Sequence, residues 1–290
     1  VNIFEPLLRL STSNKVRIAR YLSRTILFFR GVVGRPAIVV VRRGGVTWSL
    51  DLKEGIDLAI YSLGGFEVRT LRRYSQWIKE GDVVLDIGAN VGAHTLPLAR
   101  LVGSQGRVFS FEPTLYAFTK QVTNIRLNPD LAGRISAHQM MLMASDSDPL
   151  PDSIYSSWPL ESAIDLHGEH HGRLMDTSGA VRGTLDGFAR STGLEKIDFI
   201  KLDVDGNEND VLAGARETLG KSKPRIMLEL APYVYGDAPY RFEELLDSLW
   251  GMGYEISEMA SGKALPKEPS RIRALIPPAG SLNVLAFHPE

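Results

Sequence analysis

The stretch from Asp82 to Thr95, Asp-Val-Val-Leu-Asp-Ile-Gly-Ala-Asn-Val-Gly-Ala-His-Thr, limits what this chain can fold into more than any other. Val83, Val84 and Leu85 form an apolar run that ends on Asp86. A glycine-punctuated turn follows at Gly88 and Gly92, and Thr95 to Leu101 have helical character. A buried strand that breaks into such a turn and then a helix brings bare backbone close to a ligand. In an open α/β sheet that ligand lies outside the carboxyl ends of the strands. The next apolar run, Arg107 to Phe111, leads into Glu112-Pro113 and delivers a second carboxylate to the same edge. Glu112 stands about 20 residues beyond the turn, the spacing of an acid that accepts hydrogen bonds from ribose hydroxyls.

The turn itself narrows the cofactor. Dinucleotides favour G-x-G-x-x-G, with the pyrophosphate on the helix N-terminus. Here Gly88-Ala-Asn-Val-Gly92 follows Asp86, whose charge repels pyrophosphate and suits a ligand carrying an ammonium and a sulfonium. S-adenosylmethionine carries both. A glycine pair serving only a tight turn is the plain alternative, and it loses weight once Glu112 falls at the neighbouring strand end. A Rossmann-type oxidoreductase with a nucleotide cofactor and a non-catalytic binding module of the same fold are the rival readings.

Composition sets the outer bounds. With 290 residues and 44% hydrophobic content, the chain suffices for one large α/β domain with an extension. No apolar run approaches about 18 residues, so no membrane span is expected. The chain has no cysteine, which excludes disulfides and thiolate metal sites. The cytoplasm is the expected location. Charge is uneven: residues 1–50 carry nine Lys and Arg against Glu5 alone, a net of +8 in a chain that sums to -1. Within Asn14 to Arg30, Val16, Ala19, Leu22, Ile26 and Phe29 recur at helical spacing among arginines. That pattern suits a helix packed on the domain with a solvated basic face, or one that meets an anionic membrane surface or substrate. No nucleic-acid partner is expected, because no aromatic-basic platform accompanies the charge.

Along the chain, Ala37–Arg42 and Val46–Asp51 read as a hairpin about Gly44-Gly45, and Leu58–Ser62 and Glu67–Lys79 as helices. Strands are expected at 83–87, 107–112, 135–142, 197–204, 225–231, 254–259 and 283–288. Helices are expected at 93–102, 114–127, 208–220 and 240–252. The βα alternation implies a mostly parallel sheet with helices on both faces. Ser145 to Arg182 breaks the rhythm, being rich in Asp, Ser, Pro and Gly and carrying His167, His170 and His171. A segment of that length suggests a substrate loop, here 147–182, placed to close over the carboxyl-end cleft. The histidines lack H-E-x-x-H geometry and read as a solvent-exposed polar cluster.

A second acidic strand end comes at Ile197-Asp-Phe-Ile-Lys-Leu-Asp203-Val-Asp205-Gly206-Asn-Glu208, and Pro224-Arg-Ile-Met-Leu-Glu229 adds another carboxylate to the rim. Acids at a helix start also serve the helix dipole. Asp203, Glu208 and Glu229 together are a candidate divalent-cation set, since hard cations prefer oxygen ligands. Acids that only balance a sulfonium are the alternative.

These motifs resemble the FkbM family of S-adenosylmethionine-dependent methyltransferases. Asp86 to Gly92 is similar to the family's cofactor loop, Phe111-Glu112-Pro113 to its second-strand motif and Ala144-Ser145-Asp146 to the pair after its third strand. Ile197 to Glu208 is similar to its fourth-strand signature, with Asp205 where the family usually shows the longer Glu. The resemblance covers residues 55–231. It implies a Rossmann-like class I methyltransferase, with a mostly parallel seven-stranded sheet, over residues 55–290. Residues 1–54, a basic helix and hairpin, would be an extension. It also implies methyl transfer from S-adenosylmethionine to a hydroxyl of a sugar, glycoconjugate or related small molecule. Gly88, Asn90 and Gly92 would contact the methionine part, Glu112 the ribose and Asp146 the adenine amine. Phe66-Glu67 resembles the aromatic-acid pair before the cofactor loop, so Glu67 would face the ammonium, unless it is a solvated helix acid. His94 and Asp203 are the candidate bases. His94 has the alternative of capping the next helix or bonding a carbonyl. The N-terminal helix and the 147–182 loop lie outside these motifs and are expected to choose the acceptor.

Overall fold

The computed structural model describes residues 12–156, 158–160, 172–236 and 238–289, with 12–16 as backbone only. A helix over Thr12–Val32 leads into a hairpin of β1 (Ile38–Arg43) and β2 (Val46–Asp51). Gly44 and Gly45 at its tip have φ of 56° and 80°, the left-handed backbone that a two-residue hairpin requires. Helices at Gly55–Leu63 and Val68–Arg73 precede β3 (Val83–Ile87), β4 (Arg107–Phe111) and β5 (Ile135–His138). Next come four short strands, β6 (Met140–Leu142), β7 (Ser153–Ser156), β8 (Arg173–Asp176) and β9 (Val181–Gly183). β10 (Phe199–Leu202), β11 (Arg225–Leu230), β12 (Glu255–Glu258) and β13 (Leu282–Phe287) complete the strands.

Seven of these form one sheet in the order β12-β13-β11-β10-β3-β4-β5. β13 runs antiparallel to both its neighbours, and the pairings from β11 through β10, β3 and β4 to β5 are parallel. This is the expected mostly parallel seven-stranded class I arrangement. The strand order reverses between β3 and β10, the place where open α/β sheets hold ligands. Both faces are covered, so the central strands are mostly apolar, with Asp86, Ser110 and Lys201 as their buried polar exceptions. Along β3, Val84 packs to one face and Leu85 to the other. Leu85 joins Phe111, Ile200 and Leu228 under helices Leu185–Thr192 and Tyr240–Gly251. Val84 joins Phe199 and Met227 under the hairpin and helices Gly55–Leu63 and Thr95–Leu101.

Several expectations need correction. The strand expected over 135–142 divides at Gln139, whose side chain donates to the Ser178 carbonyl at 2.7 Å while its own carbonyl accepts from Val181. Met140–Leu142 then leaves the main sheet and pairs with β9. The segment Ser145 to Arg182 is not irregular throughout, because β7 and β8 pair antiparallel within it. Strands of four residues are too short to show a period. His167, His170 and His171 lie outside the described residues. The helix expected to run to Lys79 ends at Arg73 in a single 3₁₀ turn, Tyr74–Gln76, where Tyr74 enters the core fully buried. The helix expected over 208–220 breaks at Gly214, where a Cβ would lie 2.0 Å from the Met143 carbonyl oxygen. Helix Leu185–Thr192 was not foreseen, although Thr184 caps it by accepting from Gly187 N–H at 3.0 Å.

The hairpin is fastened to the domain through polar contacts as well as packing. Asn124 accepts from Ser49 N–H at 2.8 Å and donates to the Val91 carbonyl at 3.0 Å, so one side chain ties β2 to the glycine turn. Asn128 exchanges two hydrogen bonds with the backbone of Thr47. Trp48 is 2% exposed and sits in the same buried cluster as Val84 and Phe199. Trp48→Ala should therefore lower unfolding free energy by about 3–5 kcal/mol, as for truncation of a large core aromatic. Urea denaturation measures this; a loss below about 1 kcal/mol, the range of surface substitutions, would make the hairpin an appendage.

Candidate active site

The carboxyl ends of β3, β4, β10 and β11 meet at the switch point and carry the acids that the sequence placed there. Gly88 has φ of 80°, and a Cβ on it would lie 1.8 Å from the Asp203 carbonyl oxygen. Its missing side chain thus admits the end of β10. Asn90 is left-handed at φ 48°, and its N–H donates to Glu112 Oε2 at 2.9 Å. The N–H groups of Gly88 and Ala89 both go to the Phe111 carbonyl, that of Val91 to Asn90 Oδ1 and that of Gly92 to the Ala89 carbonyl. Every backbone donor from Gly88 to Gly92 is therefore already used within the protein.

Lys201 is the residue that sequence reading missed. It sits 2% exposed in the middle of β10, with Nζ 3.0 Å from Asp203 Oδ2, 3.1 Å from the Gly88 carbonyl and 3.8 Å from Asp86 Oδ1. Burial by itself would lower its pKa, but Asp203 and Asp86 outweigh that and hold the ammonium above its ordinary value. A lone lysine within Phe199-Ile-Lys-Leu202, two residues before an acid, was the signal available in the sequence. Asp86, expected to face the ligand, is instead fully buried. Its Oδ2 accepts from Thr95 Oγ at 2.6 Å, and its charge is met from inside by Lys201. Burial raises its pKa while Lys201 and Thr95 oppose the rise.

Glu112 is 3% exposed and accepts from the Thr114 N–H at 2.9 Å and hydroxyl at 2.6 Å as well as from Asn90. It sets the turn and the start of the next helix together. Burial raises its pKa against these bonds. Asp146 accepts from Thr184 N–H at 2.7 Å at the start of helix Leu185–Thr192 and is otherwise exposed. Gly92, with φ of 84°, faces Gln121 at 3.2 Å from where its Cβ would lie.

His94 lies in the core between Tyr74 and Phe66, and its helix-capping alternative fails because it makes no side-chain cap. Its Nδ1 is 2.7 Å from the Tyr74 hydroxyl and its Nε2 is 3.7 Å from Glu67 Oε2. Burial, with Lys201 adding to it, lowers the imidazole pKa well below its ordinary value. With the tyrosyl proton given to Nδ1, Nε2–H points at the Glu67 carboxylate, so this neutral tautomer has no free lone pair to act as a base. Glu67 is half-buried at the start of its helix, with its side chain 28% exposed, and not a freely solvated acid. It precedes its helix at φ 48°, and burial together with Asp203 raises its pKa.

The candidate cation set does not assemble. Glu208 is 3% exposed, with Oε1 accepting from Val204 and Gly206 N–H and Oε2 from the Tyr235 hydroxyl at 2.9 Å. Its oxygens close its own loop. Glu229 accepts from Ser281 Oγ, and no group of three His, Asp or Glu among the described residues is placed to hold a metal ion. The described part of the 147–182 segment does reach the cleft. Asn90 Nδ2 lies 3.4 Å from Ser156 Oγ, the Trp158 carbonyl accepts from Gly55 N–H at 2.8 Å, and Trp158 meets Phe66 with ring centroids 5.8 Å apart.

A family model for the methyltransferase FkbM domain matches residues 86–256, from the acid of β3 into β12. The chain belongs to the FkbM methyltransferase family. It is 30% identical over 160 residues to the 2-O-methyltransferase NoeI of Sinorhizobium fredii, which covers 50% of this chain and 62% of that protein. It is 28% identical over 192 residues to the hexuronic acid methyltransferase AglP of Haloferax volcanii, covering 65% and 72%. A crystal structure of an FkbM methyltransferase from Methylobacillus flagellatus superposes at a TM-score of 0.43 with 17% identity, over 75% of this chain and 50% of that one.

The mouth of this FkbM domain is strongly acidic. Asp203 and Glu67 both act on Glu229, whose carboxyl is pushed up to about 8 by burial first and by these neighbours second. A carboxyl whose pKa is higher folded than unfolded binds more protons in the folded state. Its contribution to stability is full below the ordinary carboxylate range and is lost as pH rises towards 8. Thermal stability should accordingly fall between pH 5 and 8, and Glu229→Gln should flatten that slope. Melting temperatures of both proteins across this range check it, and an unchanged slope in the variant would assign the titration elsewhere.

Proposed function

We propose that the protein binds S-adenosylmethionine at the carboxyl edge of β3, β4 and β10 and transfers its methyl group to a hydroxyl of a sugar or glycoconjugate. The observation that carries the cofactor is the pairing of a turn with no spare N–H donor and a rim of carboxylates. The turn from Gly88 to Gly92 has no free N–H to offer a pyrophosphate, and the rim carboxylates repel one. A ligand with an ammonium and a sulfonium is favoured by Glu67, Asp203 and Glu229. This favours a methyltransferase over a dinucleotide oxidoreductase. The bound cofactor supplies an electrophilic methyl group.

The chain's own residues would then position the acceptor and remove its proton. Asp203 is the acid best placed as base, because its side chain is 35% exposed at the mouth and Lys201 engages it through Oδ2. His94 orients Glu67 from behind. Phe66 and Trp158 offer an apolar wall for the face of a sugar ring, beside carboxylates that accept from its hydroxyls. The names of NoeI and AglP, a 2-O-methyltransferase and a hexuronic acid methyltransferase, support this acceptor class.

Calorimetry with S-adenosylmethionine, S-adenosylhomocysteine and NAD, followed by labelled methyl transfer to a glycan panel, tests the reading. Preferential NAD binding would overturn it, and cofactor binding without turnover on any acceptor would favour a binding module. Asp203→Asn should lower turnover by about 10²–10⁴-fold, the usual worth of a positioned base, with cofactor affinity changed less than about tenfold. Equal losses in turnover and affinity would give Asp203 a binding role instead.

A further inference from the structure

The N-terminal helix Thr12–Val32 has two apolar faces, and the domain uses only one. Ala19, Ile26 and Leu27 pack on the core, and Ser23 between them is 2% exposed and donates to the Leu52 carbonyl at 2.8 Å. The opposite face carries Ile18, Tyr21 and Leu22 before Thr25, and Phe28, Phe29 and Val32 after it, so one side of the helix is apolar along its length except at Thr25. Tyr21, Phe28, Phe29 and Val32 are 64–76% exposed. At 100° per residue, Arg17, Arg20 and Arg24 form a row that borders this stripe on one side. The helix contains no Asp or Glu, and Arg17 and Arg24 are exposed with no ion pair among the described residues. Exposed apolar stripes of this size on a folded domain mark a contact surface.

We infer that this helix docks the protein onto an anionic phospholipid surface, lying in the interface plane without crossing it. Aromatic and aliphatic side chains would enter the acyl boundary while the arginine row meets lipid phosphates. No described helix is long and apolar enough to cross a membrane, which fits an interfacial arrangement. Charge favours lipid over a second copy of this chain, because the helix offers no acid to receive a partner helix's arginines.

Co-sedimentation of the 290-residue chain with vesicles of phosphatidylcholine alone, or of phosphatidylcholine with phosphatidylglycerol, tests the inference. Binding should be about tenfold or more stronger to the anionic vesicles and weaken as salt is raised. Phe28→Ser with Phe29→Ser should abolish it, and Arg17→Gln with Arg24→Gln should reduce it to the level of the neutral vesicles. All four side chains are exposed, so melting temperature and S-adenosylmethionine affinity serve as controls for folding and should be unchanged. Absence of binding to anionic vesicles would overturn the inference. A dimer in light scattering that Phe28→Ser with Phe29→Ser dissociates, without vesicle binding, would overturn it in favour of self-association.

Discussion

A single buried ammonium holds the working edge of this protein together. Lys201 reaches Asp203 on its own strand end, Asp86 on β3 and the carbonyl of Gly88 in the turn. Two segments more than a hundred residues apart, the end of β3 with its turn and the end of β10, are thereby fixed around one positive charge. Removing two charges from water costs several kcal/mol each, and their attraction offsets this only where the geometry is close and hydrogen-bonded. The arrangement meets that condition on one side, at Asp203, and adds Thr95 to support Asp86 on the other. Gly88 completes it by leaving room for the Asp203 carbonyl, where any side chain would push β10 away from the turn.

The same neutralisation explains the character of the mouth. Lys201 is drawn mainly to Asp203 and Asp86 and offsets Glu67 only in part, so burial, with Asp203 adding to it, raises the pKa values of Glu67 and Glu229. A positively charged ligand relieves that repulsion. Glu112 has a structural role of its own, since its bonds to Asn90 and Thr114 set the turn before any ligand arrives. Such preorganisation reduces the ordering cost of binding. The loop of Ser156 and Trp158, the helix Gly55–Leu63 and the N-terminal helix form a connected layer beside this edge through Gly55 and Leu52.

The parts of the fold that were legible in the sequence are those where one local rule dominates. Mostly apolar runs marked the strands of the main sheet, because a strand buried on both faces carries few polar side chains. The Gly44-Gly45 turn gave the hairpin. Elements decided by tertiary contact were not legible. Gly214 breaks a helix because the Met143 carbonyl lies against it, and Tyr74 ends one because its ring is drawn into the core. The acids of the candidate site were visible by residue type, but their division of labour was not. Only the three-dimensional arrangement separates Asp86, enclosed with Lys201, from Asp203 at the surface, and Glu208, closing its own loop, from Glu229 on the rim.

Amide hydrogen exchange with and without S-adenosylhomocysteine tests most directly the claim that this edge is the cofactor site. The arrangement of Lys201, Glu112 and the glycine turn requires protection to concentrate in residues 86–94, 110–116 and 201–206, with little change in the β1–β2 hairpin. NAD at the same concentration should leave these segments unaltered. Protection by NAD, or protection by S-adenosylhomocysteine confined to segments away from the carboxyl ends of β3, β4 and β10, would contradict the account.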